Sequence, residues 1–240
     1  MGYKADWDTK MQLYSELKTR EALAPLGSVE EKHAPEVLYT VGDTSLLTEG
    51  SRVSVVGSRE ATANGIKRAI AVTQALVEQG IIVVSGLADG IDTVAHRTAI
   101  EKGGRTIAVL GTPLSKAYPA SNKVLLEEIK NHHLAISQFP EGYPSKRENF
   151  PRRNRTMALI CDATIVIEAG EKSGTRHQGW ESIRLGRDLY LLDNVAANEN
   201  LTWPKELIQY GAQVLRRENL KEILRDIPNY TVSGVRGFAL

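Results

Sequence analysis

Val53-Ser54-Val55-Val56-Gly57-Ser58-Arg59 is a short run of β-branched residues that stops at a glycine followed by two polar groups. An apolar run of this length, closed by a turn residue, suits a strand buried on both faces of a parallel sheet. The unit then repeats. Residues 62–79 carry Ile66, Ala69, Ile70, Val72, Thr73, Leu76 and Val77 at the spacing of a helix with one buried face, and Gly80 stops it. Ile81-Ile82-Val83-Val84 predicts a second strand, residues 91–102 a helix closed by Gly103-Gly104, and residues 106–110 a third strand. The same reading gives a helix over 121–130 with Ser121 as N-cap, a strand at Leu134-Ala135-Ile136-Ser137 and a helix over 153–160. A strand over 163–167, a helix over 175–185 and a strand over 189–192 complete the series. Alternating strand and helix units predict a single α/β domain on a doubly wound, mostly parallel sheet, an extended Rossmann-like fold.

Outward from this core the signals weaken. Residues 7–24, with Met11, Leu13, Leu17 and Leu23 loosely spaced, predict a short amphipathic helix, and Gly27 to Pro35 is a polar break. Residues 37–40 fit a short strand, and Asp43-Thr44-Ser45-Leu46-Leu47 a turn or helix start. Beyond residue 198, Trp203, Leu207, Ile208, Val214, Leu220, Ile223 and Leu224 suggest small helices packing back on the sheet. The expected division is a helical N-terminal extension over 1–34, the Rossmann-like domain over 35–227 and a tail over 228–240.

A chain of 240 residues suits one large domain. Its net charge of +1 means that any anion site must come from local, not global, positive charge. With Cys161 as its one cysteine, the sequence excludes an internal disulfide and a cysteine-based zinc site, and points to a reducing, cytoplasmic setting. No apolar run resembles a signal peptide or approaches the ~20 residues that span a bilayer.

Nearly every strand ends in a small, polar or basic cluster, and in an open parallel sheet all those ends lie on one edge. Gly57-Ser58-Arg59 forms a strand-to-helix turn whose backbone N–H groups can face an anion. It is neither a GxGxxG fingerprint nor a Walker A loop. Ser85, Gly86 and Gly90 form a second cradle in Ser85-Gly86-Leu87-Ala88-Asp89-Gly90-Ile91-Asp92, and His96 follows Asp92 by one helical turn. Because no nucleophile or third group accompanies them, Asp92 and His96 read as structural, with Asp92 satisfying backbone donors. Arg152, Arg153, Asn154 and Arg155 follow Phe150-Pro151, with Lys146 and Arg147 upstream. Arginines clustered at a helix start oppose the dipole unless an anion binds there, and their forks fit phosphate. Lys172, Ser173, Gly174 and Thr175 make a further phosphate turn, with Glu168 facing the same edge and Arg176 and His177 opening the next helix. Trp180 reads as packing. His132-His133 closes a helix, and no metal site is expected.

The Val-Val-Gly-Ser-Arg run ending at Arg59, Ser85-Gly86-Leu87-Ala88 with Gly90-Ile91-Asp92 and Ala95-His96, and Thr106-Ile107-Ala108-Val109-Leu110 occur in a telling order. Tyr118-Pro119, Phe150-Pro151 with Arg153-Asn154-Arg155, and Glu168-Ala169 before Ser173-Gly174 continue it. Over roughly Pro35 to Leu192 the chain resembles the DNA-processing protein A family (DprA, or Smf), Rossmann-like proteins related to the LOG phosphoribohydrolases. The resemblance implies a cytoplasmic homodimer, without a cofactor, that binds single-stranded DNA at the strand ends and loads a RecA-type recombinase. It assigns phosphate contacts to Ser58, Arg59, Ser85, Gly86, Arg153, Asn154 and Arg155.

The chain departs from the family pattern in three places. Asp89 stands where a basic residue is usual, the stretch after Ser173-Gly174 reads Thr175-Arg176-His177-Gln178-Gly179-Trp180, and the flanking helical and winged-helix modules of many members are missing. A LOG-like nucleoside monophosphate phosphoribohydrolase would use Arg153 with Met157 and a glutamate where Gln178 stands. Glu181 is the available substitute, so no catalytic residue is assigned. A nucleotide-sensing module is the other alternative, with the Asp89 carboxylate meeting a ribose hydroxyl. The resemblance and these departures together point to non-catalytic binding of single-stranded DNA.

Overall fold

Burial on both faces is what selects the long β-branched runs, and each becomes a strand of one nine-stranded sheet. The computed structural model describes residues 14–23 and 25–227. In chain order the elements are β1 (Tyr14–Lys18), α1 (Thr19–Ala22), α2 (Ser28–His33), β2 (Val37–Gly42), β3 (Arg52–Gly57), α3 (Ala63–Glu78) and β4 (Ile82–Ser85). Then come α4 (Ile91–Glu101), β5 (Thr106–Leu110), α5 (Lys123–His132), β6 (Leu134–Ser137), α6 (Asn149–Ile160) and β7 (Ala163–Glu168). The chain continues through α7 (Thr175–Arg184), β8 (Asp188–Leu192), α8 (Asp193–Ala196), α9 (Trp203–Gln209), β9 (Gln213–Leu215) and α10 (Leu220–Asp226).

The sheet order is β1-β2-β6-β5-β4-β3-β7-β8-β9. Strands β3 to β9 run parallel to their neighbours, and β2 and β1 add antiparallel at one edge. Alternation along the strands splits the core into two faces. Val53 and Val55 of β3 with Ala163, Ile165 and Ile167 of β7 pack under Ala69, Val72 and Leu76 of α3 and Ile91 and Ala95 of α4. Val56, Val84, Val109, Ile136 and Val166 face the other way, against Met157, Ala158 and Leu159 of α6. Ile66 and Ile70, expected on the buried face of α3, remain 37% and 40% exposed; Gly65, Ala69, Val72, Thr73 and Leu76 form that face instead.

Two polar links cross this apolar interior. Arg52 and Asp162 are both fully buried: Asp162 Oδ2 accepts from Arg52 N at 2.7 Å and lies 3.6 Å from Arg52 Nη2, while Arg52 Nε donates to Ile160 O at 2.6 Å. Ser54, Thr164 and Ser182 form a buried hydroxyl chain, at 2.6 and 2.8 Å, tying β3 to β7 and α7. A third link, the buried Arg187–Glu30 pair, anchors α2 to the turn before β8.

The N-terminal reading needs correction. Tyr14–Lys18 is an edge strand, not part of a helix, because its period-two pattern turns Leu17 toward the core while Tyr14, Glu16 and Lys18 face solvent. The sheet therefore begins before residue 35, and Gly27–Pro35 is not a bare break, since it holds α2. Residues 7–13 of the expected helix, and the tail over 228–240, lie outside the described residues. Ser121 sits inside a 3-10 turn, and Asn122 takes the position before α5, where it donates to Leu87 O at 3.0 Å.

His96, on α4, is fully buried with Nδ1 at 2.7 Å from Thr106 Oγ1, and burial, reinforced by His133, holds its pKa down at about 3. The folded state therefore binds fewer protons than the unfolded chain between the ordinary imidazole value and that one, and stability falls as pH drops through the window. Relative to His96→Asn, the wild type should lose about 1.4 kcal/mol of unfolding free energy per pH unit below about pH 6, measured by denaturant titration; equal slopes would refute this. Asp162→Ala, which strands the buried Arg52 cation, should lower stability by about 3–5 kcal/mol at unchanged m-value.

Candidate functional site

The chain winds outward from β3 through β4, β5 and β6, then returns to lay β7 against the other side of β3. At such a reversal the loops leaving adjacent strands diverge and open a crevice at their carboxyl ends. Here the crevice is a cavity of about 590 Å³, whose walls include Ser58, Arg59, Arg153, Asn154, Lys172 and Ser173. All four sequence-distant clusters thus supply residues to one wall system, the second through Ala88 and Asp92.

The first cluster is built by close backbone approach. Ser58 N donates to Glu168 O at 2.8 Å and Ser58 O accepts from Ile91 N at 3.1 Å. Gly90 has φ 74°, and a Cβ there would lie 2.3 Å from Ser58 O, so a glycine is required for the two loops to touch. A Cβ on Gly57 would meet Ile91 at 2.6 Å. Arg59 has no acidic partner among the described residues, and its Cζ stands 5.6 Å from the Phe150 ring centroid.

The second cluster differs from its expected role. Ser85 is fully buried and its Oγ donates to Val55 O at 2.7 Å, so it belongs to the sheet and not to the cavity wall. The amides of the turn face inward to a side chain: Gly86 N and Ala88 N donate to Asp92 Oδ2 at 3.1 and 3.4 Å. Burial raises the Asp92 pKa, while the neighbouring Arg153 charge and these amides pull it down. Asp92 thus fills the cradle, as the structural reading had it, and His96 pairs with Thr106 instead of with it. Leu87 takes φ 58°, the left-handed region, to make the bend. Asp89 does not line the cavity; its Oδ1 accepts from Ser121 Oγ at 3.4 Å.

In the third cluster α6 begins at Asn149, one turn before the expected start, so Arg152 and Arg153 stand inside the helix. The expected conflict between arginines and the helix N-terminus therefore does not arise, and the three arginines diverge. Arg153 turns inward, only 5% exposed, and its Nη1 donates to Gly86 O at 2.5 Å and Val109 O at 2.8 Å. Its Nε donates to Asn154 Oδ1 at 3.0 Å, and its Nη2 makes no hydrogen bond among the described residues. Burial lowers the Arg153 pKa, Asp92 raises it and Arg59 lowers it again. Arg152 turns outward over Phe139, 5.1 Å from its centroid, and donates to Tyr143 Oη at 3.1 Å. Arg155 is paired with Glu181 at 3.2 Å, away from the cavity.

The fourth cluster enters α7. Ser173 Oγ accepts from Thr175 N at 3.2 Å and donates to Thr175 Oγ1 at 2.8 Å, closing the turn, while Asn154 Nδ2 donates to Gly174 O at 3.4 Å. Lys172 has no acidic partner among the described residues. Gln178 lies in the wall with Met157 and His177, 1% exposed, and neither amide atom finds a partner among the described residues. Glu181, the substitute base, is held by Arg155 and by Arg184 at 2.8 Å and does not line the cavity. Glu168 caps α3 through Thr62, accepting from N at 2.9 Å and from Oγ1 at 2.5 Å, and faces a smaller adjoining cavity of about 310 Å³ with Asn194 and Asn198.

Sequence reasoning missed the stacking of Phe150 between Arg59 and Tyr118, although both aromatics stand in quoted motifs. It also missed the 110-residue link from Arg52 to Asp162, for which no local signal exists. No group of His, Cys, Asp and Glu among the described residues could hold a metal, and no described helix is long and apolar enough to cross a membrane.

The family model for DNA recombination-mediator protein A matches residues 18–228. The DNA processing protein DprA of Bacillus subtilis is 30% identical over 85% of this chain and 68% of its own length. Other curated relatives are covered over as little as 47% of their length. The X-ray structure of DprA from Streptococcus pneumoniae superposes with TM-score 0.77 at 32% identity, covering 92% of this chain and 77% of that one. A structure of the Helicobacter pylori protein, described for its single-stranded DNA binding mode, gives TM-score 0.75 at 28% identity, covering 90% and 97%.

A Cβ on Gly86 would lie 1.8 Å from Arg153 Nη1, whereas one on Gly174 would meet nothing within 4 Å. Gly86→Ala should therefore cost about 1–3 kcal/mol in a denaturant titration, as overpacking does. Gly174→Ala, at φ −61°, should be neutral within about 0.5 kcal/mol. Equal effects would show that the guanidinium yields without loss.

Proposed function

We propose that this chain, which belongs to the DNA recombination-mediator protein A family, binds single-stranded DNA without catalysis and seats its phosphates in the strand-end cavity. Arg153 carries the reading. It is a buried cation bonded to neutral oxygens, with one guanidinium nitrogen left over, in a cavity whose other cations, Arg59 and Lys172, also lack an acidic partner among the described residues. Removing a guanidinium from water is costly, and a phosphate in the cavity offsets that cost with charge-assisted bonds. The one buried carboxylate in the wall, Asp92, offsets part of the Arg153 charge while it accepts from backbone amides, and makes no ion pair with the rim cations Arg59 and Lys172.

The same walls argue against the alternatives. An amide at Gln178 supplies no acid or base, and Glu181 is neutralised by two arginines outside the cavity. The Asp89 carboxylate, which suggested a ribose contact, lies outside the wall. The single-stranded DNA binding of the Helicobacter pylori relative supports the same ligand here. The family's description as a recombination mediator supports a further step, in which the bound strand passes to a RecA-type recombinase.

Anisotropy titrations of a labelled oligothymidylate at several salt concentrations test this. Arg59→Ala and Lys172→Ala should each weaken binding and reduce the slope of log K against log salt by about 0.7, the value per neutralised phosphate on single strands. Arg155→Ala, already paired with Glu181, should leave the slope unchanged. Tight binding of a free nucleotide with no salt-sensitive DNA binding would overturn the reading.

A further inference from the structure

Tyr118 lies just outside the cavity wall, 48% exposed, and the phosphate reading leaves it without a task. Its ring rests on Phe150, with centroids 5.2 Å apart and planes inclined at 49°. Phe150 is itself part of the cavity wall and lies under Arg59, 5.6 Å from its Cζ. Arg59, Phe150 and Tyr118 therefore form one continuous line of stacked groups that starts in the cavity and ends at an open aromatic face. The base of this line is rigid. Gly111 approaches the Phe150 ring so closely that a Cβ there would lie 2.8 Å from it.

Charge differs between the two sides of the cavity. Outside the wall, near Tyr118, stands Asp89, whose Oδ1 accepts from Ser121 Oγ, three residues beyond the tyrosine. On the other side stands Lys172. A carboxylate repels phosphate but not an uncharged base, and the exocyclic amino groups of bases can donate to it. A strand leaving the cavity is thus driven to turn its phosphates toward Lys172 and its bases toward Tyr118. The other arginine–aromatic stack, Arg152 over Phe139 with Tyr143, has no such link to the cavity: none of its three members lines it, whereas Arg59 and Phe150 do.

We propose that Tyr118 is a stacking platform for one base of the bound strand, placed where the strand leaves the phosphate cavity. The proposal rests on the DNA-binding reading above. Stacking on an aromatic face is indifferent to base identity, since every base has a π-face, so this contact adds affinity without sequence preference.

Two labelled probes separate stacking from charge: a twelve-nucleotide oligothymidylate, and a twelve-unit abasic oligomer with the same phosphates and no bases. Tyr118→Ala should weaken binding of the first by about tenfold, within the range for one stacked base. It should leave the abasic oligomer, and the salt slope for both, unchanged. Tyr118→Phe should bind both as the wild type does. Equal loss on both probes would show that Tyr118 acts only by supporting Phe150 and Arg59, and would overturn the platform; no loss on either would overturn it as well. Tyr118→Leu covers the case in which alanine loosens Phe150, because it keeps apolar cover there while removing the π-face. Its thymidylate-specific loss supports the proposal, and wild-type binding by it refutes the proposal. Failure of the wild type to bind either probe would sink the DNA reading itself and the platform with it.

Discussion

A single guanidinium holds the carboxyl ends of two neighbouring parallel strands together. Arg153 Nη1 donates both to Gly86 O, just past β4, and to Val109 O, near the end of β5. The carbonyls at the ends of parallel strands have no further ladder partner, and burying them unpaired would cost about 1–3 kcal/mol each. Arg153 satisfies both from α6, and in doing so fixes where that helix sits over the sheet. Gly86 must then be a glycine, because the guanidinium occupies the space of a Cβ. Asp92 must then lie close by, because its carboxylate both gathers the Gly86 and Ala88 amides and offsets the buried cation.

The arrangement separates arginines that build from arginines that remain available. Arg52 is committed to Asp162, Arg187 to Glu30 and Arg155 to Glu181. Arg152 is turned over Phe139 and toward Tyr143. Only Arg59 and the outer edge of Arg153, with Lys172, face the cavity without an acidic partner among the described residues. A near-neutral chain thereby produces a locally positive crevice without a large charge excess.

The fold was legible because its signals are local. β-branched runs closed by glycine, and apolar residues at helical spacing, decide strand or helix without reference to the rest of the chain. The edge strand Tyr14–Lys18 was not legible, since five residues with one inward apolar side chain, Leu17, are too short for a period to declare itself. Ile66 and Ile70 misled for a related reason: helical spacing says which residues share a stripe, but not that the stripe is wider than the sheet can cover. In the site, the glycine turns were located correctly from sequence, yet the direction of side chains within them was not. Ser85, Arg153 and Arg155 stand in equally suggestive motifs. One bonds a strand carbonyl, one pins two strand ends, and one is captured by a glutamate 26 residues on. Those outcomes depend on partners that adjacency in sequence cannot supply.

The contrast between the inner and outer cations explains how such a site can be tight without reading sequence. Arg153 is immobilised by three hydrogen bonds, so little rotamer freedom remains for a ligand to remove. Lys172 and Arg59 sit on the rim, where long side chains retain freedom and adjust to a backbone of variable path. In the proposed complex an anchor that is already ordered would set the register of one phosphate, and adaptable neighbours would follow the strand on either side. Contacts from these cations to phosphates carry no base identity, so a strand seated by its backbone on this wall gains affinity without sequence preference.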